Sequence, residues 1–209
     1  MQIETKAALP FYKNGYLIYF ESSTDAILID PGDEIGLLLA FATQKNLTIT
    51  HILITHAHID HVSGVAKAKQ KTGAKIYLHP DDLNLYANVP LQGEKFGISI
   101  DTLPEVDAHL SDGQILTVAE QEIKVIHTPG HSPGSVSFLI EQNLFCGDIL
   151  FEGSVGRTDL HGGDFDTMMT SIKTKLLVLD DATLVYSGHG PVTTIGNEKQ
   201  YNPFIIYAN

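Results

Sequence analysis

The most constraining stretch of this sequence is Thr55-His56-Ala57-His58-Ile59-Asp60-His61, directly after the apolar run Ile52-Leu53-Ile54. A continuous apolar triplet of this kind reads as a strand covered on both faces. In extended chain, residues two apart point the same way, so His56 and His58 can present two imidazoles to one point at the strand's C-terminal end. The chain then turns into a helix, with Asp60 and His61 in its first turn facing a second point nearby. Imidazole and carboxylate donors suit zinc, iron or manganese. The alternative is a solvated polar turn, and such a turn does not ask for this density of histidine. The chain has 10 histidines and no tryptophan.

One run cannot complete two metal sites, and three more ligand-type residues stand in Gly-rich turns that follow strands. His131 lies in Thr128-Pro129-Gly130-His131-Ser132-Pro133-Gly134, Asp148 in Phe145-Cys146-Gly147-Asp148, and His189 in Ser187-Gly188-His189-Gly190. Taken singly, each reads as a turn residue. Together with the first run they make seven candidates in strand-end loops, where α/β proteins build their sites.

The rest of the chain supports that architecture. Tyr16–Phe20, Ala26–Ile29, Lys75–Leu78, Val136–Ile140, Asn143–Cys146 and Thr183–Tyr186 read as strands, and Leu116–Val118 with Ile123–Ile126 as a hairpin. Asp33–Lys45, Asp60–Lys71 and Asp166–Val178 carry apolar residues at helical spacing. This order suggests two β-rich halves with helices outside. Residues 89–104, rich in Pro and Gly, read as a surface excursion near a site. At 209 residues and 43% hydrophobic, the chain is expected to be a single globular domain.

With these residues the sequence resembles the metallo-β-lactamase superfamily, within its glyoxalase II-like group of short hydroxyacylglutathione hydrolase-type enzymes. The resemblance runs from about Gly15 to Pro191. It implies an α/β fold, a four-layer αββα sandwich. It also implies that His56, His58 and His131 hold one metal ion, that Asp60, His61 and His189 hold a second, and that Asp148 bridges them. The ions expected are two divalent cations, zinc first, with iron or manganese as alternatives. Such a pair can share a hydroxide aimed at a carbonyl carbon, so no serine or cysteine nucleophile is required, and Asp60 and Asp148 are the catalytic carboxylates. Asp30, in Ile29-Asp30-Pro31-Gly32, matches an acidic position that orients a metal-bound histidine; it reads equally as a turn residue before Pro31.

The segment Gly156-Arg157-Thr158-Asp159 resembles the short bacterial glyoxalase II-like hydrolases and also the persulfide dioxygenases, which use one iron. Arg157 is open to two readings, a clamp on a substrate carboxylate or an ion-pair partner of Asp159 or Asp164. About nineteen residues follow His189-Gly190, so the C-terminal helical domain that binds glutathione in full-length glyoxalase II is expected to be absent. Three functions compete: a metal-dependent hydrolase of a small thioester or ester, a mononuclear iron persulfide dioxygenase, and a non-catalytic metal-binding protein. Seven retained ligands speak against the third.

Composition narrows the partners. A formal charge of −12 disfavours binding to nucleic acid or to an anionic membrane surface, and leaves a small molecule as the expected partner. No apolar run approaches the roughly 20 residues of a membrane span, and Met1–Pro10 lacks the apolar core of a signal peptide, so a cytoplasmic location is expected. The lone Cys146 reads as a buried, inert thiol. His51, His79, His109, His127 and His161 read as surface or hydrogen-bonded histidines.

Overall fold

A computed structural model describes residues 1–100 and 102–207. The chain divides into two compact units, Met1–Leu110 with Thr117–Gln121, and Ser111–Leu116 with Glu122 onward. Among the described residues, no helix is long and apolar enough to cross a membrane.

The first unit carries a six-stranded sheet whose strands lie in chain order: β1 (Gln2–Ala8), β2 (Lys13–Tyr19), β3 (Asp25–Ile29), β4 (Thr48–Leu53), β5 (Lys75–Leu78) and β6 (Ala108–His109). β1 to β3 are antiparallel, and β3 to β6 run parallel. Each parallel step is bridged by helix: α1 (Ile35–Gln44), then α2 (Ile59–Val62) with α3 (Val65–Thr72), then α4 (Leu83–Ala87) with α5 (Val89–Phe96). Leu17, Leu28, Ile52 and Ile76 of the sheet pack in one core with Leu38 of α1 and Val65 of α3. Truncating a residue such as Leu38 to Ala costs about 2–5 kcal/mol in such a core. Alternate residues Ile18, Ile27, Ile29 and Leu53 are also fully buried, so both sheet faces are covered and the strands read as unbroken apolar runs.

Three features differ from the sequence reading. β1 is a strand at the sheet edge, marked by charges rather than by apolar residues; Lys6 pairs with Glu4 at 2.6 Å, as suits an edge. The helix expected over Asp60–Lys71 breaks into α2 and α3. The Gly64 amide bonds the carbonyl of Pro31 at 3.0 Å instead of one in its own helix, and a Cβ on Gly32 would lie 2.1 Å from the Asp60 carbonyl oxygen. The two backbones therefore pack directly on each other. The excursion at 89–104 contains α5, while its Asp101 lies outside the described residues.

The second sheet has the order β14-β13-β10-β9-β8-β7. Its strands are β7 (Ile115–Val118), β8 (Gln121–His127), β9 (Val136–Ile140), β10 (Asn143–Gly147), β13 (Leu184–Ser187) and β14 (Thr193–Thr194); β11 (Leu150–Phe151) and β12 (Ser154–Val155) form a separate ribbon. Ala119 and Glu120, between β7 and β8, both have positive φ, the signature of a type I′ hairpin turn. α6 (Phe165–Ser171) continues as a π-helical turn, Ile172–Leu176, and α7 (Ile195–Tyr201) and α8 (Pro203–Ile206) follow. Met168, Ile172 and Leu176 pack with Leu144, Cys146 and Val185 of the strands.

Candidate metal centre

Each unit carries its own set of ligand-type side chains. In the first, the chain leaves β4 through Ile54, whose amide still bonds Tyr77 of the neighbouring strand at 3.1 Å. The loop that follows is tied down by side chains from elsewhere. The Thr55 amide donates to Asp30 Oδ1 at 2.7 Å, the Ala57 amide to Asp82 Oδ2 at 2.9 Å, and the Ile59 amide to Gln92 Oε1 at 3.1 Å. Gln92 returns a bond to the Ala57 carbonyl at 3.4 Å. These anchors gather the imidazoles: the His56 ring lies 4.8 Å from His58 and 4.0 Å from His61. All three rings are buried.

Asp30 decides which nitrogens can bind a cation. Its Oδ2 takes a bond from His61 Nδ1 at 2.8 Å and from Thr55 Oγ1 at 2.6 Å. An ionised carboxylate only accepts, so both partners donate. The Thr55 hydroxyl has then given its single proton and must accept from His56 Nδ1, 3.1 Å away. On His56 and His61 alike the lone pair is therefore left on Nε2. His61 Nε2 stands 3.7 Å from Asp60 Oδ2. A lone pair facing a carboxylate oxygen at that range is repulsive until a cation lies between them. Two ligands of one tetrahedral ion with bonds of 2.1 Å are separated by about 3.4 Å, so the donor set fits a metal ion.

In the second unit the ligand-type side chains come from three strand ends. His131 lies between β8 and β9, and its Nδ1 donates to the Arg157 carbonyl at 2.7 Å, which again leaves the lone pair on Nε2. β10 and β13 are parallel with Gly147 beside Ser187, and the Gly188 amide bonds Gly147 at 2.9 Å. That register brings Asp148 and His189 out together. Asp148 Oδ2 lies 3.8 Å from His131 Nε2 and 3.7 Å from His189 Nε2.

The other residues singled out in the sequence are also located. The Arg157 guanidinium forms a two-pronged pair with Asp159, Nε to Oδ1 at 2.7 Å and Nη2 to Oδ2 at 2.8 Å. Both side chains are exposed, and the pairing holds the Asp159 carboxyl down at about 2. Cys146 is fully buried, donates to the Leu150 carbonyl at 3.2 Å, and burial pushes its thiol up to about 12. His51 stacks on Tyr77 at 5.2 Å, and burial lowers its pKa. His127 Nε2 donates to the Pro133 carbonyl at 2.9 Å. Asp82, Gln92, Lys13 and Glu34 were not distinguished in the sequence. Asp82 reads as one more turn residue after Pro80, and nothing in the pattern around Gln92 or Lys13 marks a supporting role.

Residues 8–189 match the Metallo-beta-lactamase superfamily. Over 214 residues the chain is 38% identical to hydroxyacylglutathione hydrolase GloC of Haemophilus influenzae, covering 98% of each protein. It is 31% identical to a hydroxyacylglutathione hydrolase of Shewanella loihica, covering 90% of this chain and 66% of that one. Among solved structures it is similar to BLEG-1 B3 metallo-beta-lactamase, with a TM-score of 0.91, 38% identity, and coverage of 98% and 99%. TTHA1623, crystallised in a di-iron-bound form, gives a TM-score of 0.88, 41% identity, and coverage of 96% and 99%. ETHE1 from Myxococcus xanthus gives 0.82, 28% identity, and coverage of 98% and 84%. The chain belongs to the metallo-β-lactamase superfamily and has its α/β fold. That is a metallo-hydrolase superfamily whose members bind two metal ions.

Proposed function

We propose that this protein is a glyoxalase II-like hydrolase of small thioesters or related esters. His56, His58 and His131 would hold one divalent ion, and Asp60, His61 and His189 a second, with Asp148 shared between them. Zinc suits this nitrogen and oxygen set; iron suits it too, and the di-iron form of TTHA1623 keeps that choice open. The observation that carries the reading is Asp148 Oδ2, flanked at 3.7 and 3.8 Å by two imidazole nitrogens. The likeness to GloC supports the thioester as substrate class.

Bound divalent ions in such a site lower the pKa of a coordinated water and polarise a carbonyl oxygen. The chain's own residues prepare the site. Asp30, Thr55 and the Arg157 carbonyl hold Nδ1 protons, so that Nε2 of His56, His61 and His131 is ready to bind without a proton transfer. The Asp60 and Asp148 carboxylates offset positive charge in surroundings where it would otherwise be poorly solvated. Selectivity would come from two segments joined to the ligands. Residues 89–104 reach the first loop through Gln92, and residues 153–164 reach His131 through the Arg157 carbonyl. Arg157 would grip a substrate carboxylate by exchanging it for Asp159.

The likeness to ETHE1 favours, more weakly, a mononuclear iron persulfide dioxygenase. Parallel assays separate the two. The hydrolase reading predicts thioester hydrolysis that disappears on chelation and returns with added metal. No hydrolysis of any thioester, together with oxygen uptake on a glutathione persulfide, would overturn it.

A further inference from the structure

The buried ion pair of Lys13 and Glu34 takes no part in the chemistry above. Lys13 opens β2, Glu34 precedes α1, the two are 2% and 1% exposed, and Nζ lies 3.1 Å from Oε1. Replacing such a pair with neutral side chains of similar volume is often neutral or stabilising, so stability alone does not account for it. Its other bonds suggest what does. Lys13 Nζ also donates to the Asp30 carbonyl oxygen, and Glu34 Oε1 accepts from the Gly32 amide at 2.9 Å. The pair thus grips both ends of Asp30-Pro31-Gly32. Asp30 has φ +51°, a left-handed conformation that is uncommon for a residue with a side chain, though Asp tolerates it better than most. Space for the grip is reserved at Gly15, where a Cβ would lie 1.8 Å from Glu34 Oε1.

We propose that Lys13 and Glu34 are positioning residues for metal ligands. By fixing the left-handed turn at Asp30, they aim the carboxylate that sets the ring orientation and tautomer of His56 and His61. The inference rests on the metal-binding reading of those histidines. The connection is continuous: Lys13 to the Asp30 carbonyl, and Asp30 Oδ2 to His61 directly and to His56 through the Thr55 hydroxyl. Bonds of 2.6–2.8 Å do not survive a displacement of an ångström. A turn released at Asp30 lets either imidazole move its proton to Nε2, where it can no longer bind a cation.

The test compares the full-length wild type with Lys13→Met, the double variant Lys13→Met/Glu34→Gln, and Leu38→Ala as a packing control in the same unit. Two readouts are taken. Long-range ¹H–¹⁵N spectra of the metal-free proteins report histidine tautomers, and competition with a chromophoric chelator reports zinc affinity. Expected are Nδ1–H forms of His56 and His61 in the wild type, mixed tautomers in the double variant, and zinc binding weakened by about 10–100-fold. Leu38→Ala should lower Tm and leave both readouts unchanged. Lys13→Met strands the Glu34 charge and could fail to fold, so the double variant decides. Wild-type tautomers and affinity in the double variant would overturn the proposal, as would its failure to fold or an equal loss in Leu38→Ala. A wild type that binds no zinc would defeat the metal reading, while the tautomer spectra would still decide the role of the pair.

Discussion

The two ligand sets are supported in different ways. His56, His58, Asp60 and His61 fall within six residues of chain, and their loop is held by side chains that come from 25 to 35 residues away: Asp30, Asp82 and Gln92. His131, Asp148 and His189 are scattered, and main chain does most of their positioning, with the Ser187 hydroxyl bonding the His189 carbonyl at 2.7 Å. The Arg157 carbonyl orients His131, and the β10–β13 register delivers Asp148 and His189. A loop supported by side chains can be detuned by single substitutions outside the ligands. A set supported by backbone should be resistant to them.

The largest expected effects are at the ligands themselves. Asp148→Ala should remove activity by more than about 10²-fold and lower the content of both ions. Asp60→Ala should lose activity on a similar scale and only the second ion. Asp60 lies in the first turn of α2 and does not cap it, so the lost stability should be at most about 1 kcal/mol, and circular dichroism and Tm should still show a folded protein. Full turnover with unchanged metal in Asp60→Ala would show that the assignment is mistaken.

The next tier probes the difference in support. Asp30→Ala should weaken metal binding by about 10–100-fold, read by chelator competition. Its counterpart in the second unit is Ser171→Ala. Ser171 Oγ donates to the Pro129 carbonyl at 2.7 Å, two residues before His131. That substitution should cost about 1 kcal/mol of stability and leave metal affinity unchanged. Equal losses of affinity in the two variants would erase the distinction between the two sets.

The same contrast governs how much was legible in the sequence. The first set could be read locally, because a strand feeding a helix has a fixed side-chain geometry and four ligands share it. His131, Asp148 and His189 became specific only through their conjunction and the family resemblance, since the register that gathers two of them is a long-range property. The strands at Ile52–Ile54 and Val136–Ile140 were plain from apolar runs. β1 was not, because an edge strand need not be apolar. The break at Ser63-Gly64 was hidden because its cause, the Pro31-Gly32 backbone, is some thirty residues earlier. Lys13 was hidden more deeply, as its burial depends on an acid and a carbonyl on other elements.

The smallest expected effect is at Arg157. Its pair with Asp159 is solvent-exposed, and such pairs add little to stability, so Arg157→Ala should leave Tm nearly unchanged. Steady-state kinetics should show a several-fold loss confined to thioesters that carry a carboxylate. An equal change on neutral thioesters would remove Arg157 from substrate recognition.

The proposed assignment has the two ligand sets together holding two metal ions. Its most direct test is metal content by mass spectrometry after saturating zinc and gel filtration, with wild type, Asp60→Ala and Asp148→Ala measured side by side. Two ions per wild-type chain are expected, one in Asp60→Ala and fewer than one in Asp148→Ala. A wild type that holds none, or variants that keep its full content, would contradict it.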